Sequence, residues 1–220
     1  MKSVIITTCK GRLHHLRLTL PSMLAQEVRP GLEVLTIVVE YNDPETQRWL
    51  IAGGFTHVHA GYNRTSFNLS HARNCGAQVC KLADLLYFVD ADVILNPITM
   101  IETSKLFADP EVVLARTRDE KHLELAGTCV VRNSVFRKLN GYDESIQGWG
   151  CDDTDLYRRL LAHGREEMFS PTLLLPLWHN DLDRVAHYEC KSKKDSQRAN
   201  LQYLRARTCV NPTGWGIPSA

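Results

Sequence analysis

Short apolar runs alternate with amphipathic ones through the first half of the chain. Ser3 to Thr8 is a brief apolar run closed by hydroxyl residues. His14 to Leu24 places Leu16, Leu20, Met23 and Leu24 on one helical face, with Pro21 set to bend or interrupt it. Val34 to Val39 is continuously apolar, the pattern of a buried parallel strand. Pro44 suits a first helical turn, and Glu45 to Ile51 follows as helix. Thr56 to Ala60 is another short strand. Ser70 is placed to cap a helix reaching about Ala83, with Ala72, Ala77, Val79 and Leu82 as its apolar positions. Leu85 to Val89 is the most buried-looking strand, and it stops at Asp90. This alternation predicts an α/β fold with a central mixed, mostly parallel sheet.

The second half is less regular. Val112 to Ala115 and Leu123 to Arg132 read as strands, and Asn133 to Leu139 as a short helix. Asp153 to His163 reads as a helix ended by Gly164, with Leu156, Leu160 and Leu161 on its core face. Leu173 to Leu177 is a last apolar strand. Arg184 to Arg207 is polar and basic, the composition of a surface helix and tail. The expected organisation is one domain over residues 1–183, with a C-terminal helix and tail (184–220) packed on it or extending from it.

Composition narrows the function classes. A chain of 220 residues buries a sizeable core without staples. A net charge of +1 gives no electrostatic case for nucleic acid or an anionic membrane as partner. The seven cysteines are odd in number and contain no C-x-x-C pair, against a disulfide framework or a thiolate zinc site. Reduced thiols in a cytoplasmic protein are expected. The first apolar run is too short for a signal peptide, and no transmembrane stretch is expected. The sequons at Asn63 and Asn68 then read as chance.

Two acidic motifs carry the candidate chemistry. "LLYFVDADVIL" sets Asp90 and Asp92, around Ala91, at the carboxyl end of a hydrophobic strand, where open α/β sheets bind ligands. Two such carboxylates can share one hard cation whose other oxygens come from a diphosphate. They can equally make plain turn hydrogen bonds. "TTCKGR" follows the first strand and offers Thr7, Thr8 and Arg12 as an anion site, without the G-x-G-x-x-G or G-K-[ST] fingerprints. Arg73, early in a helix, suits phosphate or carboxylate, or a solvated helix face.

In "GWGCDDTDL", Trp149 lies between two glycines, placed either to cover a pocket or to fill a core. Asp152 and Asp153 begin a helix, where the macrodipole favours carboxylates and one of them can be the N-cap. The extra acid exceeds what capping requires and suits a general base. Asp155 is the lesser candidate. His179 ends an apolar strand and is a candidate third metal ligand; imidazole with carboxylates suits Mn²⁺ and admits Mg²⁺.

Together, the polar loop after the first strand, A-R-N-x-G, D-x-D, "GYDES…GWGCDDTDLYRRL" and a downstream histidine resemble the GT-A-fold glycosyltransferases. The match is to family-2-type enzymes and the related galactosyltransferase domains, and it covers about Ser3 to Asp181. The resemblance implies a Rossmann-like nucleotide-diphospho-sugar transferase fold and an inverting transfer from a nucleotide-sugar donor, UDP-linked, to a carbohydrate or other hydroxyl acceptor. It implies Asp90, Asp92 and His179 at the metal, Asp153 as base and Asp152 at the acceptor. It also implies Trp149 in a closing loop, Thr7, Thr8 and Arg12 at the nucleotide, Arg73 near it, and Glu40 in place of an aspartate that contacts the nucleoside. Two other readings stand beside it. A haloacid-dehalogenase-like phosphohydrolase would use Asp90 and Asp92, and a non-catalytic sugar-nucleotide binder would share the site without turnover.

Overall fold

In β1 (Lys2–Cys9) every residue after Lys2 is buried, because both faces of the sheet are covered. Side chains alternate between two cores. Val4 and Ile6 join one with Ala72, Cys75 and Phe88, and Ile5 joins the other with Leu16, Leu20 and Met23. The computed structural model describes residues 1–27, 31–62, 64, 66–118 and 123–217. The sequon at Asn63 and the last three residues of the tail lie outside the described residues.

The chain continues through α1 (Leu13–Glu27), β2 (Glu33–Tyr41), α2 (Pro44–Ala52), β3 (His57–Ala60), α3 (Leu69–Val79), β4 (Leu85–Phe88), β5 (Val93–Leu95), α4 (Thr99–Leu106) and β6 (Val112–Arg116). It then forms β7 (Cys129–Arg132), α5 (Asn133–Lys138), α6 (Asp152–Leu161), β8 (Arg165–Met168), β9 (Leu174–Pro176), α7 (Asp181–Val185) and α8 (Lys193–Ala206). Seven strands make one sheet in the order β3-β2-β1-β4-β7-β6-β8. Only the pairs of β7 with β4 and with β6 are antiparallel. Helices α3, α5 and α6 pack on one face, and α1, α2 and α4 on the other. β5 and β9 form a small antiparallel sheet of their own.

Several local expectations need correction. Pro21 does not break α1, because Pro21 and Arg17, whose carbonyl loses its partner, are both exposed to water. Asn68, not Ser70, caps α3, its side chain accepting from the His71 amide at 2.8 Å. That helix stops at Val79, which leaves Val79 and Leu82 exposed. Leu123–Gly127 is a 3₁₀ turn, and only Cys129–Arg132 pairs as strand. On α6, Tyr157 rather than Leu161 fills the core face beside Leu156 and Leu160. Strand β8, "REEM", escapes an apolar search because it is a charged edge strand. Among the described residues no helix is long and apolar enough to cross a membrane.

Candidate active site

A cleft of about 620 Å³ opens beyond the carboxyl ends of β1 and β4. Asp90 and Asp92 follow β4 into it. Helix α1 runs beside them, and Thr19 Oγ1 donates to the carbonyl of buried Ala91 at 2.8 Å, fixing the turn. The β5–β9 ladder places His179 opposite Asp92, with the Leu177 amide donating to the Asp92 carbonyl at 2.7 Å. Asp92 Oδ2 thus meets His179 Nε2 at 2.5 Å and Arg12 Nη1 at 2.9 Å. Burial would raise the Asp92 carboxyl, but the His179 hydrogen bond and the Arg12 charge prevail and hold it below its ordinary value.

The second acidic motif enters from the other side of the sheet. Because β7 runs antiparallel to β4 with Phe88 opposite Cys129, the residues before Cys129 stand beside Asp90. Arg73 on α3 is buried beneath both. Its guanidinium donates to Asp90 Oδ1 at 2.8 Å and to Asp153 Oδ1 at 2.6 Å. Asp152 Oδ2 lies 3.6 Å from the same group and has no hydrogen-bond partner in the protein. Neither aspartate caps α6. The cap position is Cys151, in the left-handed conformation at φ 76°, and no side-chain cap bond forms. Burial, then the Asp152 charge, push Asp153 up against the pull of Arg73, to a pKa of about 7. Burial also raises Asp90 and Asp152.

Residues 116–189 match the family described as the N-terminal domain of galactosyltransferase. No curated protein matches the chain. Among solved structures, a Drosophila β-1,4-galactosyltransferase 7 mutant in complex with manganese, UDP-Gal and xylobiose superposes with a TM-score of 0.64. Identity to it is 17%, over 97% of this chain and 83% of that one. This is the GT-A glycosyltransferase fold. The mannosyltransferase PcManGT from Pyrobaculum calidifontis, with GDP-Man and Mn²⁺, gives 0.63 at 15% identity, over 77% of this chain and 55% of that one. S. aureus TarS with UDP-GlcNAc gives 0.63 at 12% identity, over 93% of this chain and 72% of that one.

The GT-A cleft gathers Thr8, Arg12, Arg73, Asp90, Ala91, Asp92, Trp149, Asp152, Asp153 and His179. Thr7 and Glu40 lie outside its lining. Thr7 is fully buried, its hydroxyl without a partner. Glu40 is fully buried, and its carboxylate is taken by the Asp43 amide and by His59 Nδ1. The donor set fits a divalent cation in kind: Asp92 and His179 already converge, and Asp90 is two residues away. Among the described residues, however, no three His, Cys, Asp or Glu side chains are gathered into a ready cage. Asp90 Oδ1 is directed to Arg73 instead.

The structure adds residues that the motifs did not single out. Gly127 sits where a Cβ would stand 2.6 Å from Asp90 Oδ2 and 3.3 Å from Asp153 Oδ2. Tyr142 OH accepts from Arg73 at 3.2 Å. Ser196 and Asn200 on α8 hold the Trp149 loop, and Lys193 Nζ lies 4.4 Å from the Trp149 ring centre. Asp155 is structural: it pairs with Arg159 at 2.8 Å and with Arg207 at 2.8 Å.

Proposed function

We propose that the chain is an inverting glycosyltransferase. It moves a sugar from a nucleotide-diphosphate donor, UDP-linked, to an acceptor hydroxyl. One observation carries this reading: Asp153 and Asp90, from motifs far apart in sequence, share one buried guanidinium. A carboxylate able to take a proton therefore stands in the same cleft as the D-x-D. The sugar nucleotides bound by proteins of the same fold support a donor of that class.

A divalent cation, Mn²⁺ or Mg²⁺, would be held by Asp92 and His179 with Asp90 beside them, and when bound would offset charge on the leaving diphosphate. The ionised Asp153 carboxylate accepts the proton of the acceptor hydroxyl as that oxygen attacks the anomeric carbon. The bond to the diphosphate oxygen breaks on the opposite side, so the anomeric centre inverts. Asp152, with a buried oxygen that has no protein donor, suits a hydroxyl of the acceptor. Trp149 lines the cleft and offers a ring for the sugar. The seven cysteines are all free, which suits a reducing cytoplasm. A phosphohydrolase using Asp90 as nucleophile finds no support, because that carboxylate is engaged by Arg73 within a GT-A sheet.

The test is Asp153→Asn. It should lower transfer by about 10²- to 10⁴-fold while UDP binding with Mn²⁺ persists. Donors are found by thermal shift with UDP-galactose, UDP-N-acetylglucosamine and GDP-mannose. Near-normal turnover by the variant removes Asp153 as base. Binding without nucleotide release from any donor and acceptor leaves a sugar-nucleotide binder.

A further inference from the structure

The resemblance places Arg73 near the nucleotide, and its contacts in the cleft point to a further task. The side chain is 2% exposed, and both of its terminal nitrogens are already engaged by protein acceptors. Nη1 donates to Asp153 Oδ1 at 2.6 Å and to Tyr142 OH at 3.2 Å. Nη2 donates to Asp90 Oδ1 at 2.8 Å and to the Gly127 carbonyl at 3.0 Å. The Tyr142 ring centre lies 5.0 Å from the guanidinium carbon and backs the group. Each terminal nitrogen thus hydrogen-bonds one carboxylate and one neutral acceptor, and Nη1 also lies 3.6 Å from Asp152 Oδ2.

Gly127 closes the arrangement. A Cβ there would stand 2.6 Å from Asp90 Oδ2, 3.1 Å from Arg73 Nη2 and 3.3 Å from Asp153 Oδ2. A side chain at this position would push against both carboxylates and the cation between them. Without that cation the two acids would repel across a poorly solvated space. A planar fork can hold two carboxylates at a set separation, whereas an ammonium is a point charge on a flexible stem.

We propose that Arg73 is a positioning residue, a buried fork that holds Asp153 at a fixed spacing from Asp90 so that proton acceptor and diphosphate side stay in register. The proposal rests on the transferase reading above. It predicts that Arg73 acts on turnover and not on nucleotide affinity. Coupling between the two acids then depends on the fork's shape as well as its charge.

The experiment compares Arg73→Lys, Arg73→Gln and Gly127→Ala with the wild type. UDP affinity is measured by calorimetry with Mn²⁺, and nucleotide release is measured from the donor that the wild type uses. In Arg73→Lys, UDP affinity stays within about threefold and kcat falls about 10²-fold, the cost of misplacing a reacting group. Arg73→Gln loses more, and Lys restores part of that loss. Adding Asp153→Asn to Arg73→Lys costs far less than it does in the wild type, because both changes disable one unit. Gly127→Ala keeps every charge, so it tests the spacing even where Arg73→Gln fails to fold; kcat falls about tenfold or more. A drop of tenfold or more in UDP affinity with kcat unchanged would make Arg73 a nucleotide contact and overturn the proposal. So would wild-type kcat in both Arg73→Lys and Gly127→Ala. Full activity in Asp153→Asn sinks the base itself, whereas full activity in Arg73→Lys with Asp153→Asn inactive sinks only the positioning role.

Discussion

Asp153 owes its chemistry to its surroundings. An ordinary aspartate titrates near pH 3.9, about three units below the value reached here. A base with a pKa of about 7 gives a clear pH signature. With Asp153 required ionised, kcat/KM should fall tenfold per pH unit below about pH 7, and a flat profile from pH 5.5 to 8 would exclude it. The same shift acts on stability. The folded pKa is raised above the unfolded one, so this group's contribution is full below about pH 4 and is lost as pH rises through about 7. Three units correspond to about 4 kcal/mol, and with the side chain a quarter exposed about 1–2 kcal/mol is expected. The loss accrues steadily between about pH 4 and 7, so from pH 4 to 8.5 the wild type should lose that much relative to Asp153→Asn, and parallel stability profiles for the two would refute it. The acids at 152 and 153 were legible because their density exceeds what a helix start needs. The fates of Asp155 and Glu40 were not, because their partners Arg207 and His59 reach them only through the fold. Gly127 gave no local sign, since its crowding comes from three side chains distant in sequence.

Elements decide how the Trp149 loop is held. Helix α8 looks like a polar surface helix, and most of its residues are exposed. Its two buried side chains, Ser196 and Asn200, stand four apart on one face and bind the loop. Ser196 Oγ accepts from the Trp149 amide at 2.8 Å. Asn200 donates to the carbonyls of Gln147 and Gly150 at 2.8 and 2.9 Å and accepts from the Gln147 amide at 3.2 Å. Gly148, at φ 71°, fits because a Cβ would stand 2.4 Å from Ser196 Oγ. Asn200→Ala strands these backbone groups. It should cost about 2 kcal/mol, with faster hydrogen exchange at the amides of residues 147–151. Unchanged exchange there would mean that α8 does not hold the loop. The helix itself was legible from its charge pattern. Its task was not, because hydropathy records what is apolar and is silent on polar side chains that bind backbone. The signal available was a small polar pair at i and i+4 within a charged helix.

At the scale of the whole molecule, one antiparallel strand makes the site. The first half of the sheet was readable as a parallel α/β pattern, since its central strands carry continuous apolar runs and the intervening helices carry apolar faces. The insertion of β7 between β4 and β6 was not, yet it carries Gly127 to Asp90 and lets α6 deliver Asp153. A boundary at residue 183, suggested by the polar composition beyond it, can be tested directly. The segment after it supplies Arg207, which pairs with Asp143 at 2.9 Å and Asp155 at 2.8 Å, and Tyr203, which donates to Asp143 at 3.0 Å. Asp143 is fully buried. The same segment supplies Trp215, packed edge-on against Phe136 in the core. Leaving Asp143 without its cation costs about 3–5 kcal/mol. Removing a buried Trp costs about 3–5 kcal/mol more. Against a total stability of about 5–15 kcal/mol, a chain ended at Asp183 should have little or no cooperative thermal transition. Circular dichroism melts of the shortened and full chains decide it. A shortened chain that melts cooperatively within a few degrees of the full one would show that residues 1–183 fold alone and that the tail is an addition to a finished domain.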